Sequence, residues 1–377
     1  MTSKKKKIVV AMSGGVDSSA ALAILKEDGY DCIGVSMQLW DYSKKEDAAG
    51  AAAGSCCSLD DIHDARAVAD RLDVPFYVLN LEKVFSREVV DYFVSSYLSG
   101  ATPNPCIKCN EKLKFDALLK KARTLGAELL ATGHYARIIN VAGGGEDGTG
   151  PRLLKGVDDR KDQSYFLFTM TGEQLSNVVF PLGGLTKQEV RAYARKAGLK
   201  TSEKKESQEI CFVEDGDYAG FMAAGLSDKA AGLAGEIVNS SGLVLGSHRG
   251  LFNYTIGQRK GLNLSGGPFY VTAMDREKNR LIVGPVGELF SEGLMAGEIN
   301  WINREYEKAF NDKGLKDVTV KVRYRHSGVL SAITPAKEGR LKVDFTEPVK
   351  AVTPGQAVVF YSGDEVIGGG WIERAIK

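Results

Sequence analysis

The chain has 377 residues, of which 44% are hydrophobic and 26% are charged, a composition typical of a soluble globular protein. This length exceeds what one ordinary hydrophobic core supports and predicts two or three domains. The formal net charge is only +1, so a polyanionic partner would have to be bound by local basic patches. Six cysteines are too few for a disulfide scaffold and are expected to remain thiols in a reducing compartment.

The N-terminal segment, from Met1 to Lys7, is basic and leads directly into an alternating strand. It is not followed by the apolar region and cleavage site of a signal peptide. No apolar run in the sequence approaches the roughly 20 residues that span a bilayer. We therefore expect a cytoplasmic protein without a membrane segment.

The first half of the chain alternates between short apolar strands and amphipathic helices. Strands are predicted over residues 7–12, 31–37, 76–79 and 128–132, and helices over 18–27, from a capping Ser58 onward, over 82–98 and over 111–125. Strands separated by helices of this length form a parallel sheet that is covered on both faces. The sequence therefore predicts a doubly wound parallel α/β domain.

The second half of the chain is richer in glycine and in short strands. A last helix is predicted over residues 186–198, where Thr186 and Glu189 form a capping box. After about residue 217, short alternating strands replace the helices, and from Glu298 onward the pattern predicts a small all-β unit. We predict three domains, residues 1–217, 218–288 and 289–377, of which the second is small and β-rich.

A glycine-containing loop, Ser13–Ser18, lies between the first strand and the first helix. Its two glycines allow a tight turn and a close approach of the backbone to a ligand. The N-terminus of the following helix presents N–H groups and the positive end of the helix dipole. The serines of the loop add hydroxyl donors, and Asp17 is a candidate Mg²⁺ ligand. Because the lysine of a Gly-x-x-x-x-Gly-Lys-Ser loop is missing, we expect this loop to hold the β and γ phosphates of ATP as leaving pyrophosphate.

Two cysteines, Cys106 and Cys109, lie just ahead of a helix that is predicted to begin near Glu111. A helix N-terminus lowers the pKa of a nearby thiol and favours the reactive thiolate. A third thiol, Cys211, lies near the end of the α/β region. Three alternatives stay open from these residues alone: half of a structural zinc site, a thioredoxin-like redox pair and, for Cys211, plain burial.

Six blocks of the sequence resemble the tRNA-specific 2-thiouridylases, a family of the N-type ATP pyrophosphatase superfamily, whose members cleave ATP between the α and β phosphates. The blocks are residues 13–18, 102–115, 131–136, 161–167, 206–213 and 252–262, in the order and spacing of that family. The resemblance covers essentially the whole chain. It implies an adenine-nucleotide-hydrolase-like catalytic domain, a small central domain and a C-terminal β-barrel domain that contacts tRNA.

The resemblance also implies roles for individual residues. The residues that correspond to ATP contacts are Ala11, Met12, Ser13, Gly14, Gly15, Val16, Asp17, Ser18, Met37 and Gly133. Cys211 corresponds to the cysteine that carries a persulfide, and Cys109 to the second catalytic cysteine. The segment beside the target base corresponds to Asn104, Pro105 and Cys106, and the tRNA contacts correspond to Lys161, Asp162, Gln163, Arg323 and Tyr324.

The thiol at Cys106 departs from some members of the family, which have an aspartate proposed as an acid–base group at this position. A thiol is not expected to do that work. Three thiols, Cys106, Cys109 and Cys211, also fit an alternative, an iron–sulfur cluster with one open iron. We favour a persulfide relay, in which a donor protein supplies sulfur to Cys211 and Cys109 releases it or forms a disulfide with Cys211.

Two basic segments point to RNA independently of the resemblance. Residues 318–325 alternate, so that Lys321, Arg323 and Arg325 share one face of a predicted strand, although a solvated strand face would show the same pattern. Arg259 and Lys260 lie close to glycines and form a second basic segment. We predict that the neighbouring side chains of Asn253, Tyr254 and Gln258 pair with or stack on a splayed RNA base.

Together these features predict that the chain uses ATP with Mg²⁺ to adenylate the wobble uridine of a tRNA and then inserts persulfide sulfur. The products would be 2-thiouridine, AMP and pyrophosphate. Two other function classes stay open from the sequence. One is a ligase or amidotransferase that uses ammonia or an amine and needs no thiols, and the other is a non-catalytic RNA-binding protein that retains the loop.

Overall fold

The computed structural model describes residues 5–40, 59–140, 150–205, 210–213, 220–221 and 234–377. The chain divides into two compact units. The first unit comprises Met1–Val90, Pro105–Gly216 and Asp364–Ile367, and the second unit comprises Asp91–Asn104, Asp217–Gly363 and Gly368–Lys377. The domain limits near residues 217 and 288 stay a prediction.

A parallel sheet forms the centre of the first unit. The strands of this unit are β1 (Lys7–Ala11), β2 (Asp31–Gln38), β3 (Phe76–Asn80), β4 (Leu129–Ala131), β5 (Ala136–Asn140), β6 (Pro151–Lys155) and β7 (Val178–Val179). Five of them form the sheet in the order β3-β2-β1-β4-β7, and β5 and β6 form an antiparallel hairpin. The predicted parallel sheet is confirmed, because every neighbouring pair within these five strands is parallel.

Nine helices occur in the described part of the chain. They are α1 (Val16–Glu27), α2 (Leu59–Arg71), α3 (Glu82–Phe85), α4 (Asp91–Leu98), α5 (Pro105–Lys108), α6 (Leu119–Thr124), α7 (Gly172–Ser176), α8 (Lys187–Lys196) and α9 (Arg304–Lys313). π-Helical segments, Ser86–Val90 and Cys109–Leu118, continue α3 and α5. Among these helices, none has the length and apolar character needed to cross a membrane.

Helices α1, α2 and α8 are held to the sheet by apolar packing. Leu22 of α1, Ala65 of α2 and Ala194 of α8 belong to one buried cluster that also contains Ile8 and Val10 of β1. This packing explains the apolar spacing of the helices in the sequence, because only the face turned to the sheet must be hydrophobic. The cluster fixes the loop between β1 and α1 at the carboxyl end of the central strand.

Two helix ends differ from the prediction, and one agrees with it. Helix α1 begins at Val16, two residues before the predicted start, and α5 begins at Pro105 rather than near Glu111. Proline suits the first position of a helix because its missing N–H would have no intrahelical partner there. The capping box of Thr186 and Glu189 is confirmed at α8. The predicted capping residue of α2, Ser58, lies outside the described residues.

The second unit contains a small sheet built from its central segment. Its strands are β8 (Gly235–Asn239), β9 (Val244–His248), β10 (Tyr270–Asp275) and β11 (Arg280–Gly284), in the order β10-β11-β8-β9. Ile237, Val271, Leu281 and Val283 form the core of this sheet and are fully buried. The predicted β-rich character of the central segment is confirmed.

A closed β-barrel occupies the C-terminal part of the second unit. Its strands are β12 (Phe290–Trp301), β13 (Leu315–Lys321), β14 (Val329–Pro335), β15 (Leu341–Lys350), β16 (Ala357–Ser362) and β17 (Glu365–Ile376). The order is β12-β15-β14-β13-β16-β17, and β12 also pairs with the last part of β17, which closes the barrel. The C-terminal β-barrel implied by the resemblance is confirmed.

Strand β13 is shorter at its end than predicted. The prediction extended it to Tyr324, whereas it ends at Lys321 and the chain then turns toward Val329, the partner of Val320 in β14. Gly328 allows this turn through its positive φ of 99°. The expected face of three basic side chains on one strand is therefore wrong, since Arg323 and Arg325 lie in the turn.

Candidate active site

The loop Ser13–Ser18 lies at the point of the sheet where ligands bind in open α/β folds. Strand β1 has β2 on one side and β4 on the other, so the chain order reverses direction at β1. Met37 lies near the end of β2, and Gly133 follows β4. The structure thus brings the predicted ATP residues from three separate strand ends to one edge of the sheet.

Serine hydroxyls hold the loop in shape. The backbone N–H of Ser13 donates to Oγ of Ser18 at 3.1 Å, and Oγ of Ser18 is 3.2 Å from the carbonyl oxygen of Gly15. Oγ of Ser19 donates to the same carbonyl at 2.8 Å. Ser18 is buried, so its hydroxyl organises the loop, while the first N–H groups of α1 have no partner within their own helix.

Two glycines are required by close packing around the loop. Gly14 has φ of +71°, and a Cβ atom there would lie 2.2 Å from the carbonyl oxygen of Asp61 in the first turn of α2. A Cβ atom on Gly133 would lie 2.9 Å from the backbone nitrogen of Ser18. Such distances are far below van der Waals contact, so any side chain at either position would displace the loop.

A buried lysine contacts the loop from a distant part of the chain. Nζ of Lys187, the first residue of α8, lies 2.7 and 2.8 Å from the two carboxylate oxygens of Asp17. The hydroxyl of Tyr135 donates to one of these oxygens at 2.7 Å, and its ring lies 5.6 Å from the same ammonium. Lys187 is 8% exposed, which is rare for a lysine without a function or a partner.

The sequence reasoning missed Lys187, although it carried a signal. Lys187 directly follows the capping residue Thr186 and so occupies the first turn of α8. A cation is unfavourable at that end of a helix because the helix dipole is positive there. A lysine at such a position indicates that another part of the protein needs its charge. Here the ammonium, which comes from α8, neutralises the carboxylate of Asp17 in the loop.

The same contact bears on the expected Mg²⁺ ligand. Both carboxylate oxygens of Asp17 already contact the ammonium of Lys187. Within the described ranges, no group of three His, Cys, Asp or Glu side chains is placed to hold a metal ion. The residues therefore do not form a Mg²⁺ site by themselves, and a role of Asp17 as a ligand stays a prediction.

Cys109 and Cys211 pack against one hydrophobic cluster. Its buried members are Leu39, Phe85, Val89 and Leu113. Cys109, Cys211 and Met37 are partly buried against it, and the ring of Phe212 meets that of Phe85 edge-on at 5.5 Å. The structure thus brings two thiols that are far apart in sequence to the same apolar surface as the predicted ATP residue Met37.

Cys106 differs from these two thiols in its surroundings. It is exposed, whereas Cys109 and Cys211 are half-buried. Because α5 begins at Pro105, Cys109 lies one turn inside the helix rather than just ahead of it, and Cys106 lies in the first turn. In the described parts of the chain, these three thiols do not form a group that is placed to hold a metal ion. The iron–sulfur cluster is therefore not supported, and a disulfide between Cys109 and Cys211 stays a prediction.

The predicted tRNA segment at Lys161, Asp162 and Gln163 is tied into the first unit. The buried carboxylate of Asp162 accepts hydrogen bonds from the N–H groups of Gly156 and Ser164 and from the Ser164 hydroxyl, at 2.9–3.1 Å. Oε1 of Gln163 accepts from the N–H of Tyr135 at 3.0 Å. These side chains stabilise the backbone of the segment, and their contact with tRNA stays a prediction.

The second predicted tRNA segment lies in the turn after β13. Nη1 of Arg323 donates to the carbonyl oxygen of Lys350 at 2.9 Å, and Tyr324 is half-buried. Burial and the positive charges of Arg323 and Lys321 lower the pKa of the neighbouring His326 to about 4. His326 is therefore neutral at pH 7, and the positive charge of this turn comes from arginine and lysine.

His134 forms a local hydrogen bond in the turn that follows β4. Its Nδ1 lies 2.6 Å from Oγ1 of Thr132, and its ring packs against Phe115 and Phe180. Burial holds the pKa of His134 well below its usual value. The neutral ring thus fixes the turn that contains Gly133 rather than carrying charge.

Family models match all three parts of the chain. The description of the first is tRNA methyl transferase HUP domain, over residues 6–215. The others are tRNA methyl transferase PRC-barrel domain, over residues 224–285, and Aminomethyltransferase beta-barrel domain, over residues 291–372. The order of the three matches follows the parallel sheet, the central sheet and the barrel along the chain.

Full-length relatives have names that describe thiolation rather than methylation. The tRNA-specific 2-thiouridylase MnmA of Geotalea uraniireducens is 53% identical over 99% of this chain and 96% of its own length. The protein of the same name from Geobacter metallireducens is 53% identical over 100% of this chain and 99% of its own length. That of Carboxydothermus hydrogenoformans is 46% identical over 99% of both chains. The chain belongs to the tRNA-specific 2-thiouridylase family.

Proposed function

We propose that this chain catalyses the ATP-dependent 2-thiolation of the wobble uridine of tRNA, with release of AMP and pyrophosphate. One observation carries the proposal: Met37 of the nucleotide site and the thiols of Cys109 and Cys211 pack against the same apolar cluster. An adenylating loop alone fits many reactions. Two thiols on the same surface fit the transfer of sulfur to the adenylated atom, and a methyl transfer would have no use for them.

The first half of the reaction activates the base. The 2-oxygen of the uridine attacks the α-phosphate of ATP, the bond to the β-phosphate breaks, and pyrophosphate leaves. The N–H groups at the start of α1 would bind the leaving phosphates, and Lys187, which is paired with Asp17 of the same loop, would add a positive charge beside them. Mg²⁺ would be part of the ATP substrate and would neutralise charge on its phosphates.

The second half replaces oxygen by sulfur. A persulfide on Cys211 attacks C2 of the base, and AMP leaves with the oxygen. The thiolate of Cys109 then attacks Sγ of Cys211, which breaks the sulfur–sulfur bond and leaves 2-thiouridine. This step forms a Cys109–Cys211 disulfide that an external dithiol must reduce before the next cycle. The apolar cluster beneath the thiols keeps water from the adenylated base, which would otherwise be hydrolysed back to uridine.

We assign the remaining predicted residues to tRNA binding in the same reaction. Asn104, Pro105 and Cys106 would lie beside the target base, and the exposed thiol of Cys106 agrees with a contact to a ligand. Lys161, Asp162, Gln163, Arg323 and Tyr324 would contact the rest of the tRNA. A sulfur-donor protein is required to load Cys211, and the predicted cytoplasmic location would supply both that partner and the reductant.

The proposal is tested by thiolation of a tRNA transcript with ATP and a persulfide donor, with 2-thiouridine detected by mass spectrometry. We expect Cys211→Ser and Cys109→Ala to lose catalytic turnover of thiolation, whereas both should still release pyrophosphate from ATP in the first, tRNA-dependent step. Cys32→Ala is the matched control, because Cys32 is buried and burial raises the pKa of its thiol to about 11. Thiolation at the normal rate by Cys211→Ser would exclude the relay.

The same assay separates the other functions. With a methyl donor added to the assay, a methylated rather than thiolated base in the product would favour methyl transfer. Activity with an amine in the Cys109→Ala/Cys211→Ala double variant would favour a ligase or amidotransferase. Absence of ATP cleavage with every tRNA, by wild-type protein that binds tRNA, would favour a non-catalytic RNA-binding role. The visible absorbance of an iron–sulfur cluster in anaerobically purified protein would replace the relay by the cluster alternative.

A further inference from the structure

The central sheet of the second unit carries a loop, residues 259–269, that none of the reaction steps uses. The loop lines an open cavity of about 320 Å³. Its lining includes Arg259 at one end, Asn263 in the middle, and Pro268 with Phe269 at the other end. A volume of this size is at the lower limit of small-ligand sites.

The loop has a rigid base. Oε1 of Gln258 accepts a hydrogen bond from the N–H of Thr255, and its Nε2 donates to the carbonyl oxygen of Lys260, both at 3.0 Å. Gly257 and Gln258 exchange backbone hydrogen bonds with Val271 of β10 at 2.8 and 2.9 Å. Leu262 is buried in the core of the central sheet. The two basic side chains that follow Gln258 thus start from a fixed backbone.

This arrangement changes what the sequence indicated for the segment. The three side chains that were predicted to contact a splayed base form contacts within the protein instead. Nδ2 of Asn253 donates to the carbonyl oxygens of Arg249 and Gly250, Tyr254 is buried, and both ends of the Gln258 amide are bonded. The outward-facing part of the segment is therefore its basic pair and the loop backbone.

Backbone N–H groups are the main polar donors of the loop. For residues 261–267, no N–H group donates to another group in the part of the chain that the structure describes. Gly261, Asn263 and Gly266 adopt positive φ values of 81°, 51° and 82°. Where left-handed residues alternate with right-handed ones in a turn, successive N–H groups can form a concavity that binds anions.

The cations beside the loop are not neutralised by the protein. Arg259 and Lys260 are exposed, and neither forms an ion pair with a carboxylate among the described residues. By contrast, two basic residues of the same small sheet are paired: Arg280 lies 2.8 Å from Glu236, and Lys278 lies 3.9 Å from Asp275. Arg259 at the cavity, Lys260 next to it in the chain, and loop N–H groups without a partner among the described residues therefore favour an anionic ligand.

We propose that the 259–269 loop binds one nucleotide of the tRNA chain other than the reacting base. Its phosphate would be held by the N–H groups of the loop and by Arg259, with Lys260 adding charge. This inference rests on the proposed function, because tRNA is the polyanion that the reaction requires. It gives the central sheet a part in substrate binding that does not involve the thiols.

The test compares the affinity of full-length variants for a tRNA transcript over a range of salt concentrations, by fluorescence anisotropy. At about 0.15 M salt, Arg259→Ala and Lys260→Ala should each weaken binding about 5-fold, and the double variant about 30-fold. The slope of log affinity against log salt should fall by about 0.9 for each cation removed. Arg280→Ala and Lys278→Ala are the matched controls and should change neither quantity.

Different failures are distinguishable. If the Arg259→Ala/Lys260→Ala variant binds tRNA with wild-type affinity and slope, the inference is wrong while the proposed function stands. If the same double variant binds tRNA normally, and its thiolation fails with a protein sulfur donor but not with inorganic sulfide, then the loop binds the sulfur-donor protein. In that case the inference is also wrong. Wild-type protein that neither binds nor thiolates tRNA would overturn the proposed function itself.

Discussion

Replacement of Lys187 by methionine tests whether a distant lysine provides the charge that the phosphate loop lacks. Methionine keeps most of the apolar stem of the side chain and removes the ammonium. The ammonium lies 2.7 and 2.8 Å from the carboxylate oxygens of Asp17 and is nearly buried. The substitution therefore removes one positive charge from the edge of the sheet where the phosphates of ATP are expected.

Two magnitudes follow from this geometry. Removal of one partner from a buried ion pair costs about 3–5 kcal/mol of stability. The side chain of Asp17 is 31% exposed and keeps its hydrogen bond from Tyr135, so we expect about 2 kcal/mol instead. For catalysis, loss of one charged group that stabilises a developing anion costs about 10²- to 10³-fold in rate, which corresponds to about 3–4 kcal/mol.

Stability and rate are separated by a pair of measurements. Release of pyrophosphate in the presence of tRNA gives the rate, and urea unfolding gives the stability. Asp17→Asn/Lys187→Met should regain most of the stability lost by Lys187→Met, because no charge is then left without its partner, but it should not regain the rate. Lys196→Met, at the exposed end of the same helix, is the control for both quantities. A Lys187→Met protein that releases pyrophosphate at the wild-type rate would refute this reasoning.

Two further predictions concern packing and pH. Gly133→Ala should weaken ATP binding at least about 10-fold in calorimetric titration, because a Cβ atom there would lie 2.9 Å from the nitrogen of Ser18. The control is Gly184→Ala, which has open space around it and should bind ATP normally. Equal ATP affinities of the two variants would contradict the packing argument. The lowered pKa of His326, about 4 against an ordinary 6.5, stabilises the fold fully above pH 6.5 and progressively less as the pH falls toward 4. Because His326 is only half-buried, we expect the free energy of unfolding to fall by about 1–2 kcal/mol over this pH range. His326→Gln should remove this pH dependence, which urea unfolding measures. The same pH slope for variant and wild type would show that another group is responsible.

The sequence by itself determined the features that depend on neighbouring residues. The glycine-containing loop between a strand and a helix, the capping box at Thr186 and the alternation of strands and helices were all readable from it. These features are set by local backbone preferences and by the period of apolar residues, which act over a few residues. For the same reason the order of the strands along the chain predicted the parallel sheet.

Only the tertiary structure decided which distant residues meet. Lys187 lies 170 positions from Asp17, and Cys211 shares its apolar cluster with Cys109, so neither contact has a local signature in the sequence. The structure also moved the start of the helix at Pro105 and ended β13 at Lys321, because tertiary packing and the turn to the next strand override local patterns there. The sequence thus indicated which groups carry the chemistry, and the packing of the sheet against α8 and the apolar cluster determined where those groups come together.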